Sequence, residues 1–245
     1  MLAAALFWAA FCLVAGRPAA GRPLELLAGT DPAASWIAAI GGERVQVQAV
    51  LPANTAPSPY VLSPERVSEL ANAQAFFTAG LPEENLWLAG LRRNNPGLEV
   101  VNLCTGAPLI QPPQDRRLEV LSRRAETAPS RFAPYIWTAP SLAAVLLRNI
   151  RAALAGLDPG GAPVYAANYR KLAGRLDRAA KRLRRAVRRA APRREFLASR
   201  PGLGWLAADL GLRMMLVHPG NGGRLDGRKL RLIIEYAAQQ RFPVL

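Results

Sequence analysis

The sequence predicts an α/β fold built on parallel strands covered by helices. Two observations carry this. Short apolar strand patterns alternate with helix patterns along most of the chain, and repeated strand–helix–strand units imply a parallel sheet. Of the 245 residues, 51% are hydrophobic and 20% are charged, which suffices for a real core and lies outside the range of a disordered chain. No internal repeat of fixed period is present.

The elements follow in order. Leu2 to Gly16 is an unbroken apolar run of signal-core length, too short for a membrane span. No Lys or Arg precedes it. Small residues after it offer cleavage at Gly16 or Gly21, so residues 1–21 are read as an export signal and the protein as periplasmic or otherwise exported. Leu24–Ala28 is a short apolar strand. Pro32–Ile40 is a helix, stopped by Gly41-Gly42, where glycine can take the left-handed cap conformation. Val45–Leu51 alternates apolar and polar residues as a half-buried strand does. Ser63-Pro64 supplies an N-cap and a first-turn proline for a helix to about Ala73. Ala75–Thr78 is a strand, Pro82–Arg93 a helix and Leu98–Leu103 a strand.

Periodicity is lost from Thr105 to Phe132, which reads as a long surface excursion with one short helix near Leu118. A helix from Ser141 to Leu154 follows, ended by Gly156 and Asp158-Pro159. A longer one runs from Pro163 to Ala190 and stops before Pro192. Then come a strand (Glu195–Ala198), a helix (Gly202–Leu210), a strand (Leu212–Val217), a glycine-rich loop and a helix from Asp226 to Gln240. Phe242–Leu245 begins like a strand.

The net charge of +15 raises the question of an anionic partner, and it is concentrated. Between Arg170 and Arg194 there are twelve basic residues and one acid, Asp177. As a helix this stretch is amphipathic: Tyr165, Tyr169, Leu172, Leu176, Ala180, Leu183 and Val187 recur at steps of three and four. A nucleic-acid interface would interleave stacking aromatics with the charge, and none is present, so nucleic acid is not expected as a partner. The basic side reads first as a solvated face, with contact to anionic lipid headgroups as a secondary effect.

Catalytic chemistry is thin. There are no paired carboxylates at catalytic spacing and no Ser-His-Asp set, so the chain is not read as an enzyme. His218, the one histidine, reads as a loop residue. Gly220-Asn221-Gly222-Gly223 lacks the spacing of a P-loop or a Rossmann fingerprint. Cys104 reads as a buried thiol. With Cys12 in the signal, the mature chain offers no disulfide framework and no cysteine-based zinc knuckle. Trp36, Trp87, Trp137 and Trp205 read as core.

Five segments in this order carry a resemblance. They are IGGERVQVQAVLP from Ile40, PSPYVLSPERVSELANAQAFF from Pro57, APYIWTAPSLA from Ala133, LDPGGAPVYAANYRKLAGRLDRA from Leu157 and LGWLAADLGL from Leu203. The chain resembles the zinc/manganese-binding solute receptors of ABC importers over about Leu24 to Leu245. The resemblance implies two α/β lobes with parallel sheets bridged by one long helix. It divides the chain into an N-terminal lobe over 22–160, a bridging basic helix over 161–191 and a C-terminal lobe over 192–245, incomplete at Leu245. It implies an ABC permease as partner, a monomer, and metal held between the lobes.

Carried over residue by residue, the metal site is altered. Ser58 stands where the family has a histidine before its Ser-Tyr pair. In the segment that reads Asp-Pro-His-Ile-Trp in the family, Ala133 replaces the aspartate and Tyr135 the histidine. Arg200 aligns with a third ligand, and the acidic fourth lies beyond Leu245. Zinc requires imidazole, thiolate or carboxylate donors; a serine hydroxyl and a neutral phenol are weak ligands, and a guanidinium offers no lone pair. Ser58, Tyr135 and Arg200 are therefore cleft positions of a degenerate site. No cofactor is expected, with zinc or manganese only if the family function is retained. The alternatives are a receptor for an anionic or polar organic ligand, which Arg200 would suit, and an exported interaction protein.

Overall fold

The computed structural model describes residues 22–55, 60–107, 135–190, 194–198, 201–216 and 227–239. Strands β1 (Leu24–Ala28), β2 (Val45–Ala49), β3 (Ala75–Thr78) and β4 (Glu99–Asn102) form one sheet in the order β2-β1-β3-β4. All its pairings are parallel, with Leu26 opposite Val47 on one side and Ala75 on the other. A second, parallel pair joins β5 (Glu195–Ala198) to β6 (Arg213–Leu216).

Both faces of the first sheet are covered, which explains why its central strands β1 and β3 read as mostly apolar runs, while the outer strand β2 alternates. Because side chains alternate along a strand, Leu26, Ala28 and Phe77 enter one core while Leu27 and Phe76 enter the other. The first core is closed by helices α1 (Asp31–Gly41), α4 (Pro140–Leu157) and α5 (Ala162–Ala190), through Ile37, Ile40, Leu146, Ile150 and Tyr165. The second is closed by α2 (Pro64–Glu69) and α3 (Glu84–Asn94), with Leu70, Trp87 and Leu91 at its centre. Helix α6 (Gly204–Leu210) brings Trp205 into the first core, and α7 (Gly227–Gln239) follows β6. Trp36 and Trp137 pack partly buried against it. Among the described residues no helix is long and apolar enough to cross a membrane.

Several boundaries differ from those read in the sequence. Helix α2 stops at Glu69 rather than Ala73, because Leu70 caps it and the Gln74 N–H is drawn to the Glu25 carbonyl at 2.8 Å as the chain enters the sheet. Helix α3 starts at Glu84 rather than Pro82, because Pro82 and Glu83 form a turn in which the Glu84 N–H donates to the Leu81 carbonyl at 3.1 Å. Helix α4 continues past Leu154 to Leu157. A side chain at Gly156 would meet open space, and the Asp158 N–H caps Leu154 at 2.9 Å before Pro159 ends the run. At the end of α1, Gly42 takes φ 59° with ψ −140°, a positive-φ conformation that is not the left-handed helical cap. The predicted helix near Leu118 and the strand at Phe242–Leu245 lie outside the described residues.

A carboxylate ties the base of α5 to the first sheet. Asp158 accepts from Arg44 Nε at 2.7 Å and Nη2 at 2.9 Å, from the Tyr165 hydroxyl at 2.6 Å and from the Gly161 N–H at 3.2 Å. The bidentate Arg44 contact pulls the Asp158 pKa down to about 2, and burial with the Asp158 hydrogen bond pushes Tyr165 up to about 12. A Cβ at Gly161 would fall inside this cluster, 2.4 Å from Asp158 Oδ2 and 2.5 Å from Tyr165 Cζ, so only glycine permits the approach. Nearby, Asn168 donates to the Ile40 carbonyl at 3.1 Å. At the other end of α5, Arg184 holds Asp209 of α6 at 3.2 Å, and Asp209 also accepts from the Ser141 N–H. The long helix is thus held near its start by the Arg44–Asp158–Tyr165 cluster and near its end by Asp209 of α6.

Candidate functional site

In open parallel sheets, ligands gather outside the carboxyl ends of the strands, where the strand order reverses. Here β1 is followed outward by β2 on one side and β3 on the other, so the reversal lies between β1 and β3. Glu84 occupies that point. Its carboxylate accepts from the N–H groups of Ala79, Gly80 and Leu81 at 2.9–3.0 Å, just past the end of β3. A Cβ at Gly29, just past β1, would overlap the Glu84 carboxylate, so the glycine is what lets the two strand ends close on it. Glu84 is only 3% exposed. Burial raises its pKa to about 7, opposed by the three N–H bonds. Thr30, at the start of α1, is also buried there, and its hydroxyl finds no partner among the described residues.

Beside Glu84 lies a cleft of about 520 Å³ between the ends of β3 and β4, lined by Thr78, Leu81, Asn102, Cys104 and Ile136 among others. Cys104 is buried, as its sequence context predicted, and burial pushes its thiol up to about 12. That leaves it protonated and unreactive near neutrality.

Of the three predicted cleft positions, the structure describes Tyr135; Ser58 and Arg200 lie outside the described residues, as does His218. Tyr135 sits at φ 73°, ψ 35°, a left-handed conformation uncommon for a non-glycine residue. It turns the chain into the short 3₁₀ turn Ile136–Thr138, and its carbonyl accepts from the Thr138 hydroxyl at 2.8 Å. Its ring meets Trp137 edge-on, 5.4 Å between centroids. The other neighbour is Gly202, where a Cβ would stand 3.3 Å from Tyr135 Cδ2, so the ring lies directly on that backbone.

Gly202 belongs to the 3₁₀ turn Pro201–Leu203, immediately after Arg200. On the other flank, Tyr60 packs edge-on against Trp87, whose Nε1–H donates to the Tyr60 carbonyl at 3.0 Å. Tyr60 and Tyr135 pack against the same apolar cluster. Gly202, two residues after Arg200, is thus in contact with Tyr135, and Tyr60, two residues after Ser58, packs on Trp87 of the second core.

The donor chemistry on this surface is poor for a metal. Tyr135 presents a phenol. Glu84 spends its oxygens on backbone N–H groups, and Cys104 is held protonated. Among the described residues no group of three or more His, Cys, Asp and Glu side chains is placed to hold a metal ion. Sequence reasoning missed Glu84, although an acid just after a strand-ending Ala-Gly-Leu-Pro is a usable signal. It also missed the Arg44–Asp158 pair, whose members lie 114 residues apart and share no local pattern.

A parallel sheet and a second parallel strand pair, linked in the chain by one long helix, make up the architecture. The family of the periplasmic component A of zinc-uptake complexes, ZnuA, matches residues 26–245, and the chain belongs to that family. It is a family of substrate-binding proteins of metal ABC transporters, not of enzymes.

Solved structures share the fold. A zinc-bound ZnuA deletion mutant superposes with a TM-score of 0.74 at 24% identity, covering 89% of this chain and 78% of that one. The manganese-bound periplasmic metal binding protein of Candidatus Liberibacter asiaticus gives 0.72 at 20% identity, covering 89% and 77%. The metal-dependent lipoprotein YcdH of Bacillus subtilis gives 0.70 at 19%, covering 89% and 76%.

Proposed function

We propose that this chain is an exported receptor of the metal-importer family whose metal site has degenerated. Residues 22–160 make the first lobe, 161–191 the bridge, and 192–245 the second-lobe portion of the chain. It acts as a monomer and presents its cleft to an ABC permease. The observation that carries the reading is Tyr135. At the family's second histidine position stands a phenol, locked by Trp137 on one side and Gly202 on the other. Ser58 and Arg200, the other two positions, bring a hydroxyl in place of an imidazole and a fixed positive charge in place of an imidazole or a carboxylate. Together these donors suit a polar or anionic solute better than a divalent cation.

The test is restoration. The native chain and the variant S58H/Y135H/R200H are equilibrated with zinc, passed through a desalting column, and the retained metal is counted. The native chain is expected to retain none and the folded variant to retain zinc. One zinc retained per native chain would overturn the degenerate-site reading. A folded variant that gains nothing would overturn the assignment of the three positions.

A further inference from the structure

Helix α5 separates its cations into two kinds. Arg184 leans toward the packed side and is held by Asp209. Nine others, from Arg170 to Arg189, are exposed. At 3.6 residues per turn they fill an arc of about 140° opposite the line of Tyr165, Tyr169, Leu172, Leu176 and Ala180 that packs on the core. Over that arc, between Arg170 and Arg189, Gly174 is the single residue that is not basic. Among the described residues only Lys181 of the nine has an ion-pair partner, Asp177 at 2.8 Å.

An ordinary solvated helix face interleaves acids three and four residues from its bases, because like charges at that spacing repel. This face does the reverse. Arg185 has Lys181, Arg182, Arg188 and Arg189 at those spacings. The helix carries that repulsion in solution and sheds it only against a surface of opposite sign.

We propose that the exposed face of α5 docks on an anionic phospholipid surface, with the helix axis lying in the plane of the bilayer. The face is about 28 Å long at 1.5 Å per residue and is borne on one unbroken helix, which suits a plane. It carries no aromatic for base stacking and no Asn or Gln to read base edges. What remains is contact with phosphate, which a headgroup layer presents at high density. The helix lies on the membrane and does not enter it, since its outer arc is nearly all charged. Membership of an importer family puts such a surface next to the receptor's working position. The inference does not depend on what the cleft holds.

The experiment is co-sedimentation of the full chain with vesicles of phosphatidylcholine alone or with about a third of the lipid as anionic phosphatidylglycerol. Expected is retention on the anionic vesicles only, weakening as salt rises and the Debye length shortens. Each basic residue at the surface contributes about five-fold in affinity, so R178Q/R182Q/R185Q should bind roughly a hundred-fold more weakly. R178K/R182K/R185K should bind like the native chain, and R231Q in α7 should change nothing. Helical circular dichroism confirms that each variant is folded. Equal retention on neutral vesicles, no retention on anionic ones, native-like binding by the folded triple glutamine variant, or retention of duplex DNA in preference to anionic vesicles would each overturn the proposal.

Discussion

Replacing Asp158 by asparagine tests how α5 is anchored to the first sheet. The change keeps the shape of the side chain and removes the charge that Arg44 grips through two hydrogen bonds. In the folded protein that grip pulls the Asp158 pKa from 3.8 to about 2. At about 1.4 kcal/mol per pKa unit, the shift corresponds to roughly 2.4 kcal/mol. The two side chains are 25% and 19% exposed, so solvent screening trims the figure to about 2 kcal/mol. A depressed carboxylate pKa contributes stability above pH 3.8 that disappears as pH falls through about 2. Urea unfolding at pH 7 should therefore show D158N weaker by about 2 kcal/mol. The gap should close as pH is lowered toward 2, and a double-mutant cycle with R44Q should return most of it as coupling. A pH 7 difference below about 0.5 kcal/mol, the usual scatter of surface changes, or a gap that persists unchanged in acid, would refute the argument.

Other outcomes follow from the same structure. Glu84 has a folded pKa of about 7 against an ordinary 4.5, so it favours the fold fully below pH 4.5 and loses that contribution, of order 3 kcal/mol, as pH rises through 7. The stability of E84Q relative to the native chain should accordingly climb across that window, and a flat difference would count against it. Substituting R185E turns four like-charge neighbours into attractive ones, so thermal unfolding at low salt should show a gain of about 1–2 kcal/mol that fades with added salt. In a C12S background the Cys104 thiol, pushed up to about 12, should resist alkylation at pH 7.5 until urea unfolds the chain; rapid labelling of the folded protein would contradict its burial. Finally, G161A should destabilise by roughly 2 kcal/mol or more, because overpacking at that point displaces Asp158 or Tyr165; a neutral result in urea unfolding would show that the cluster can yield.

Most of the architecture was legible in the chain. Strands β1, β3 and β5 have the bounds read for them in the sequence; for β1 and β3, at the centre of the first sheet, burial on both faces leaves a mostly apolar signal. Helix α5 was legible for a different reason: its two faces differ so sharply in composition that the period is unmistakable. The errors sit at element ends: β2 stops at Ala49 rather than Leu51 and β4 spans Glu99–Asn102 rather than Leu98–Leu103, and at helix ends tertiary hydrogen bonds decide the boundary. The Gln74 N–H bonds the Glu25 carbonyl as the chain leaves α2 for the sheet, and a turn closed by the Glu84 N–H on the Leu81 carbonyl takes up Pro82 and Glu83 ahead of α3.

The candidate site was half legible. Tyr135 was picked out by the segment around it, and its contact with Gly202 places that segment against the turn after Arg200. Its left-handed backbone had no signature, since tyrosine carries no preference for that conformation. Arg44 is brought to Asp158 and Tyr165 by folding over more than a hundred residues of chain, and nothing local to Arg44 announces the pair.

A receptor scaffold that has lost the family's metal donors has nothing to hold zinc or manganese with. Calorimetric titration of the purified native chain with both ions, with bound metal counted in the same sample, tests this. No saturable binding of either ion by the folded protein is expected. Tight binding of one ion per chain would contradict it, and would mean that donors other than Ser58, Tyr135 and Arg200 build a metal site in the cleft.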